Sequence, residues 1–190
     1  MNKAKTLKEV QKMKFELNEL IALTNWYFKD MEKNGFQFLD NKISEIRIKD
    51  NTSACAYTSF NRTNYKNDTS EVSITFNKYY VEDTTIKSLR NTIVHELCHC
   101  LKGTLREVHG NHWKAWAKKA SSIYNLDISP YAKSDECIGM FKHNKYLIVC
   151  PKCGIIGGRD KITSTMKHQY RNHLRKCVKC DSCVDLVKNR

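Results

Sequence analysis

Residues 6–33 carry the hydrophobic pattern of one long helix. Apolar side chains recur there every three or four positions, so they share one helix face, and we expect this face to join the core. Asn34 and Gly35 then provide a helix stop. The apolar positions are Leu7, Val10, Met13, Leu17, Leu20, Ile21, Leu23, Tyr27, Phe28 and Met31.

Between residues 43 and 77 the pattern changes to the short apolar and alternating stretches that are typical of strands. Three strands are predicted, at 43–48, 54–60 and 71–76. The polar segment 61–70 is predicted to be a hairpin loop between the last two. We therefore expect a small antiparallel sheet.

Two more helices and a linker follow the predicted sheet. Helical spacing of apolar residues predicts one helix from Thr84 or Thr85 to about Leu101, and a second over about 111–125. Residues 126–145 lack such a pattern and are predicted to be a linker. The remainder of the chain is expected to form a separate small unit.

The net charge of +13 is distributed unevenly. Residues 138–190 hold 12 Lys and Arg against 3 Asp and Glu, a net of +9, which leaves +4 for residues 1–137. A basic C-terminal third favours a polyanionic partner, nucleic acid first, although a solvated basic surface has the same composition. No apolar run approaches the ~20 residues of a membrane span, and no signal peptide is visible. We therefore predict no membrane partner and a cytoplasmic location.

The sequence HELCH at residues 95–99 lies inside the helix predicted from Thr84 or Thr85 to about Leu101. Because residues four apart share a helix face, His95 and His99 can bind one metal ion. Glu96 is then placed to take a proton from metal-bound water and return it to a leaving amine. Two buried histidines without a metal would be the alternative, and burying them with a glutamate would be costly.

A catalytic zinc site needs a third protein ligand. The sequence offers four candidates: His109, His112, Glu107 and Glu136. His109 is preferred because it immediately precedes a predicted helix and Gly110 permits a close turn. His112 is its main competitor.

These residues carry a specific resemblance. His95-Glu96-x-x-His99 followed by His109-Gly110-x-x-Trp113 resembles the SprT-like metallopeptidases, the group that includes the Spartan proteases. The resemblance implies that His109 is the third zinc ligand and that Trp113 is a core anchor. It covers most of the chain, including the order of a long helix, a small sheet and the HExxH helix.

A second constellation is formed by cysteines. Cys150 and Cys153 form a CxxC element followed by glycine, which is typical of a structural zinc knuckle. The second pair is Cys177 with Cys180, or Cys180 with Cys183. Free thiols or a redox pair are the alternatives.

The same family resemblance extends to these cysteines. SprT-like proteins often end in a zinc ribbon with a basic stretch between two CxxC elements. This implies Cys177 and Cys180 as the second pair, with Cys183 as an alternative ligand and His173 as a further possibility.

The stretch between the two CxxC elements is basic and includes Tyr170, a combination that suits contact with a nucleic-acid backbone. An ordinary solvated hairpin is the alternative. The residues assigned to nucleic-acid binding are Arg159, Lys161, Lys167, Arg171, Arg175 and Lys176.

We therefore predict an α+β fold. Residues 1–137 would form a zincin-like metallopeptidase core of a long N-terminal helix, a small antiparallel sheet, the HExxH helix and a further helix. Residues 138–190 would form a basic zinc ribbon.

The predicted function is zinc-dependent peptide hydrolysis, with one catalytic and one structural Zn²⁺ and Glu96 as general base. By resemblance, the substrates are DNA-associated or DNA-crosslinked proteins. Tyr131 and His112 are candidates for stabilising the oxyanion. The alternatives are a non-catalytic DNA-binding ribbon protein and a general cytosolic peptidase, or a maturation peptidase with one partner, independent of nucleic acid.

Overall fold

The computed structural model shows a mixed α+β fold with small sheets. It describes residues 12–39, 43–50, 54–60, 71–104, 107–133 and 136–189. The helices are α1 (Leu17–Lys33), α2 (Lys78–Val81), α3 (Ile86–His99), α4 (Asn111–Tyr124), α5 (Ile138–Phe141) and α6 (Ser164–Arg171). The strands are β1 (Lys12–Met13), β2 (Ile43–Lys49), β3 (Ala56–Phe60), β4 (Val72–Asn77), β5 (Thr84–Thr85), β6 (Tyr146–Cys150), β7 (Gly154–Arg159) and β8 (Asp185–Lys188).

The long N-terminal helix is present, but it begins at Leu17. A reciprocal capping box starts it there, in which the backbone N–H of Glu16 donates to the carboxylate of Glu19 at 2.8 Å. Before this cap the chain is extended, and β1 pairs antiparallel with β5. The predicted helix is therefore wrong over residues 12–16, while residues 6–11 lie outside the described part of the chain.

The first sheet is mixed rather than wholly antiparallel. Its strand order is β2-β4-β3, with β3 antiparallel to β4 as predicted and β2 parallel to β4. The expectation of a wholly antiparallel sheet was wrong because alternation reports which face a residue occupies, and not the direction of the strand. Here β4 lies between β2 and β3, so these two consecutive strands do not pair. The predicted hairpin loop at 61–70 lies outside the described residues.

Both helices predicted around the histidines are present; α3 packs on β3 of this sheet, and α4 packs against α3. The hydroxyl of Thr85 caps α3 by accepting the backbone N–H of Ser88 at 3.1 Å. The fully buried core side chains of α3 are Leu89, Ile93, Val94, Leu97 and Cys98. The buried residues of α4 are Trp113, Ala117 and Ala120. Among the described elements, no helix has the length and hydropathy that a membrane span requires.

Residues 126–145 do more than link two units. Leu126, Cys137 and Met140 are buried in the main core. Helix α5 packs against both α2 and β7, so it lies at the junction between the main core and the second sheet. The prediction of a simple linker missed these contacts because the apolar residues of this stretch show no regular spacing.

The C-terminal part has its own antiparallel sheet, with strand order β7-β6-β8, and helix α6. The hydroxyl of Thr163 caps α6 by accepting the N–H of Met166 at 3.2 Å. A small core holds this part together, and its buried members are Cys150, Tyr170, Cys177 and Val184. Few apolar side chains support this unit, so we expect it to depend on additional stabilisation.

Candidate active site

Three histidines converge at the end of α3. The helix places His95 and His99 one turn apart, and His109 approaches from the segment before α4. The Nε2 atom of His95 lies 3.3 Å from Nε2 of His99 and 3.2 Å from Nε2 of His109. Four-coordinate zinc with Zn–N bonds of about 2.0–2.1 Å separates its ligand atoms by roughly 3.3–3.4 Å. The three imidazoles therefore fit a zinc ion.

A backbone carbonyl fixes the tautomer of His95. Its Nδ1 lies 2.9 Å from the carbonyl oxygen of Ser129. Because a carbonyl only accepts, Nδ1 carries the proton and Nε2 keeps its lone pair for a metal. Ser129 was not predicted, since nothing in the sequence connects it with a histidine 34 positions away.

Burial keeps the imidazoles neutral. It lowers the pKa of His95 to about 4 and that of His99 to about 3, with neighbouring histidines adding to both shifts. Burial and, secondly, Lys114 lower the pKa of His109. The ring of Trp113 packs against all three imidazoles, with centroid distances of 4.8, 5.6 and 4.5 Å. Neutral imidazole is the form that ligates a metal, so the three histidines are in the protonation state that metal binding requires.

Glu96 is a buried carboxyl beside the histidines. It is only 4% exposed, and burial raises its pKa to about 7. The hydroxyl of Thr58, on β3, donates to Glu96 Oε2 at 2.7 Å and opposes this rise. Thr58 was missed by the sequence analysis because a threonine in a predicted strand carries no signal of a partner 38 positions later.

The raised pKa of Glu96 predicts a pH-dependent stability of the metal-free protein. The unfolded carboxyl ionises near pH 4.5 and the folded one near 7, so folding stability is lost as the pH rises between these values. Over this range we expect metal-free wild type to lose roughly 3 kcal/mol relative to Glu96→Gln. Urea unfolding of both proteins at pH 4.5 and pH 8 measures the difference; an equal change in both would contradict it.

The other candidate third ligands have different contacts. The carboxylate of Glu107 accepts the backbone N–H groups of His112 and Trp113 at 3.0 and 3.3 Å, and its second oxygen lies 2.8 Å from His112 Nδ1. A Cβ atom on Gly110 would come within 2.5 Å of this carboxylate, which explains why glycine follows His109. Glu107 thus caps α4 and holds the turn that presents His109.

Glu136 is likewise engaged away from the histidines. Its carboxylate accepts the hydroxyl of Ser88 at 3.3 Å and the backbone N–H of Lys133 at 3.1 Å. Among the described residues, the metal-competent histidine group contains neither Glu107, Glu136 nor His112.

The histidines and Glu96 open into a cleft of about 580 Å³. Its walls come from β3, α3 and the segments 107–109, 127–132 and 136–141. Tyr131, one of the two oxyanion candidates, lines this cleft with its ring 5.8 Å from that of His109. His112, the other candidate, does not line it and is bonded to Glu107. A cleft of this size accommodates several residues of an extended peptide.

Four cysteines converge in the C-terminal part. Cys180 Sγ lies 3.4 Å from Cys150 Sγ and 3.5 Å from Cys153 Sγ, and Cys177 Sγ lies 3.8 Å from that of Cys153. Zn–S bonds of about 2.3 Å separate tetrahedral ligands by roughly 3.8 Å, so this group fits zinc. Cys183 stays outside it, with its thiol directed at the carbonyl of residue 173.

The six basic residues predicted to contact nucleic acid are all exposed. Lys176 pairs with Asp181 at 3.1 Å, and Arg175 donates to Gln169 at 2.9 Å. Tyr170, in contrast, is buried in the small core at 9% exposure. It therefore supports the fold of this part and is not placed to stack on a base.

Comparisons with known proteins show the family of this chain and one similar protein. A family model described as the SprT-like family matches residues 20–132, which is more than half of the chain. The match includes the three histidines, Glu96 and Thr58, and ends before the cysteine group. The Caenorhabditis elegans protein named germ cell nuclear acidic-1 protein is similar, with 32% identity over 75 residues. This match covers 37% of the present chain and 13% of that protein, so the chain spans a small part of that relative's length.

Proposed function

Because this chain belongs to the SprT-like family, we propose that it is a zinc-dependent metallopeptidase with a zincin-like core. One observation carries the proposal. Three imidazole Nε2 atoms at zinc-ligand separations stand beside a buried carboxyl at the floor of an open cleft. A site of this kind keeps a coordination position for water or substrate, as catalytic zinc sites do.

In the proposed mechanism each side chain has one role. His95, His99 and His109 hold zinc, which when bound polarises a peptide carbonyl and lowers the pKa of water. Thr58 bonds Glu96 Oε2, so we assign proton transfer to Oε1. Glu96 takes the proton of the attacking water and later gives it to the departing amine. Tyr131 stands at the rim of the cleft, where its hydroxyl is available to the developing oxyanion.

Thr58→Val is expected to lower kcat about tenfold with little change in KM. The variant keeps the shape of the side chain but removes the hydroxyl that orients Glu96, and a single positioning hydrogen bond contributes about 1–1.5 kcal/mol. Thr58→Ser, which keeps the hydroxyl, serves as the matched control and should recover most of the rate. Steady-state kinetics on a fluorogenic peptide measures the effect. Equal activity of the valine variant and wild type would remove Thr58 from the mechanism.

We further propose that the substrates are proteins associated with or crosslinked to DNA. The basic C-terminal part, with its exposed Arg and Lys side chains, supports a polyanionic partner. The similar C. elegans protein is named as a nuclear protein, which supports the same context. DNA would then bring enzyme and substrate together.

Neutralising four exposed basic residues tests the DNA contact. The variant Arg159→Gln/Lys161→Gln/Lys167→Gln/Arg171→Gln is expected to bind DNA more weakly and to reduce the slope of log K against log salt by about three, since each lost phosphate contact removes about 0.7–0.9. Fluorescence anisotropy of labelled DNA at several salt concentrations measures both.

A control variant loses the same number of positive charges, but from the surface of the main core, so it separates the effect of net charge from that of location. It replaces four exposed lysines by glutamine, at Lys29, Lys33, Lys87 and Lys118. If this control weakens DNA binding as much as the C-terminal variant does, the contact is not localised to the C-terminal part.

The proposed activity is tested by incubating the purified chain with casein and with a histone, each with and without single- or double-stranded DNA. We expect cleavage that o-phenanthroline abolishes and added Zn²⁺ restores, and stronger histone cleavage when DNA is present. Cleavage indifferent to DNA would favour a general peptidase. No cleavage by the zinc-loaded chain under any condition would favour a non-catalytic DNA-binding protein.

A further inference from the structure

Two cysteines that are not in the metal-competent group touch each other beneath the cleft. The Sγ atoms of Cys55 and Cys137 are 2.8 Å apart, although the residues are separated by 82 positions. Both side chains are buried, at 8% and 4% exposure, and both line the cleft. The sulfurs are thus in contact where a small solute can reach them.

The backbone on both sides of this contact is already fixed. The carbonyl of Cys55 accepts the N–H of Asn77 at 2.9 Å, which ties Cys55 to the end of β4. The carbonyl of Cys137 accepts the N–H of Phe141 at 3.0 Å, in the first turn of α5. The adjoining Glu136 is held by Ser88. Because the two sulfurs are already in contact, a bond between them would require only a small approach of the two side chains.

The remaining cysteines are arranged differently. Cys98 and Cys100 are also buried in the core, but neither lines the cleft, and the thiol of Cys100 lies 3.5 Å from the carbonyl of Glu96. Four more form the C-terminal metal-competent group. Cys183 is exposed, and its thiol is directed at a backbone carbonyl. Among the nine cysteines, all of which lie in the described part of the chain, only Cys55 and Cys137 combine contact with each other and access from the cleft.

We propose that Cys55 and Cys137 form a reversible disulfide that links the start of β3 to the start of helix α5. With hydrogen peroxide as the oxidant, one sulfur attacks a peroxide oxygen, the O–O bond breaks and hydroxide leaves, giving a sulfenic acid. The second sulfur then attacks the first, the S–O bond breaks and water leaves. In total, two thiols give two electrons and two protons to one peroxide, which becomes two waters. A dithiol reductant reverses the reaction.

The cross-link would close a long loop around the candidate active site, because both HELCH histidines, Glu96 and His109 lie between the two cysteines. It would also fix α5, which packs against β7, to the end of β4. The contact with Cys137, followed by burial, raises the pKa of Cys55. A small thiolate fraction makes the oxidation slow, so we expect it to proceed over hours.

The experiment uses the full zinc-saturated chain, oxidised with a small excess of hydrogen peroxide. After unfolding and zinc removal, an alkylating reagent should label nine cysteines in the untreated protein and seven, two fewer, in the oxidised protein. Peptide mapping should identify one linked pair, Cys55–Cys137. Thermal unfolding of the oxidised protein should shift upward by on the order of 10 °C and return after treatment with dithiothreitol.

Three variants sharpen the result. Cys55→Ala and Cys137→Ala each retain eight cysteines, nine less one, and peptide mapping after oxidation should find no disulfide in either variant. Cys183→Ser, a matched control at an exposed cysteine, should fall from eight labels to six. Nine labels on oxidised wild type, or a link that maps to another pair, would overturn the proposal, and neither outcome depends on peptidase activity.

Discussion

Replacing Glu96 with Gln is expected to abolish nearly all peptidase activity while the zinc content stays the same. Glutamine has the same shape and still accepts the hydroxyl of Thr58, but it cannot take a proton from water. Loss of a general base typically costs about 10²–10⁴-fold in rate. Measuring kcat together with zinc by atomic absorption separates this chemical loss from loss of the metal.

Glu136→Gln is the matched control for this experiment. Glu136 lines the same cleft, but its carboxylate is engaged by Ser88 and Lys133 and lies outside the histidine group. We expect this variant to keep most of the activity. If Glu96→Gln loses zinc as well as activity, Glu96 supports the metal site rather than proton transfer. If it cleaves at the wild-type rate, the base is another group.

Replacing Cys177 with Ser is expected to unfold the C-terminal part and to reduce the bound zinc from the two proposed ions to one. The sulfur of Cys177 belongs to the four-cysteine group, and the same residue is buried in the small core around Tyr170. Because structural zinc contributes about 10–16 kcal/mol to the folding of small zinc domains, so small a core should not persist without it. Zinc stoichiometry and hydrogen exchange over residues 146–189 measure the two effects.

Cys183→Ser provides the control, since it changes a neighbouring exposed cysteine. Its sulfur lies outside the four-cysteine group, so this variant should keep both zinc ions and normal hydrogen exchange. The reverse result, with zinc lost from Cys183→Ser and retained in Cys177→Ser, would show that Cys180 and Cys183 complete the site.

The sequence predicted those parts of the fold that local periodicity and capping control. Helices α3 and α4 and the three strands of the first sheet lie close to their predicted positions. The start of α1 was misplaced because apolar spacing continues through Lys12–Met13, where pairing with β5 overrides helix propensity. The parallel pairing of β2 with β4 depends on how the chain connects the strands. Hydrophobic periodicity carries no information about this connection.

The candidate site, like the fold, includes residues that the sequence predicted and residues that it did not. The proximity of His95, His99 and Glu96 follows from helix geometry, and His109 from its place beside Gly110. Thr58 and Ser129 reach the site only through tertiary structure, so no local pattern identifies them. The sequence suggested Glu107 as a candidate ligand. Its actual role, capping α4, depends on the folded turn around Gly110 and therefore could not be predicted from a local pattern.

The position of Trp113 makes its fluorescence a useful signal. Its indole is 1% exposed and touches all three metal-site imidazoles, whereas Trp26 is 55% exposed on α1. Its fluorescence should therefore respond to whatever occupies the histidine site. In a Trp26→Phe/Trp116→Phe background, the remaining emission comes from Trp113, and Co²⁺, whose absorption quenches nearby emitters, should quench it on binding to the histidines. The chain thus contains an intrinsic optical reporter for its proposed metal centre.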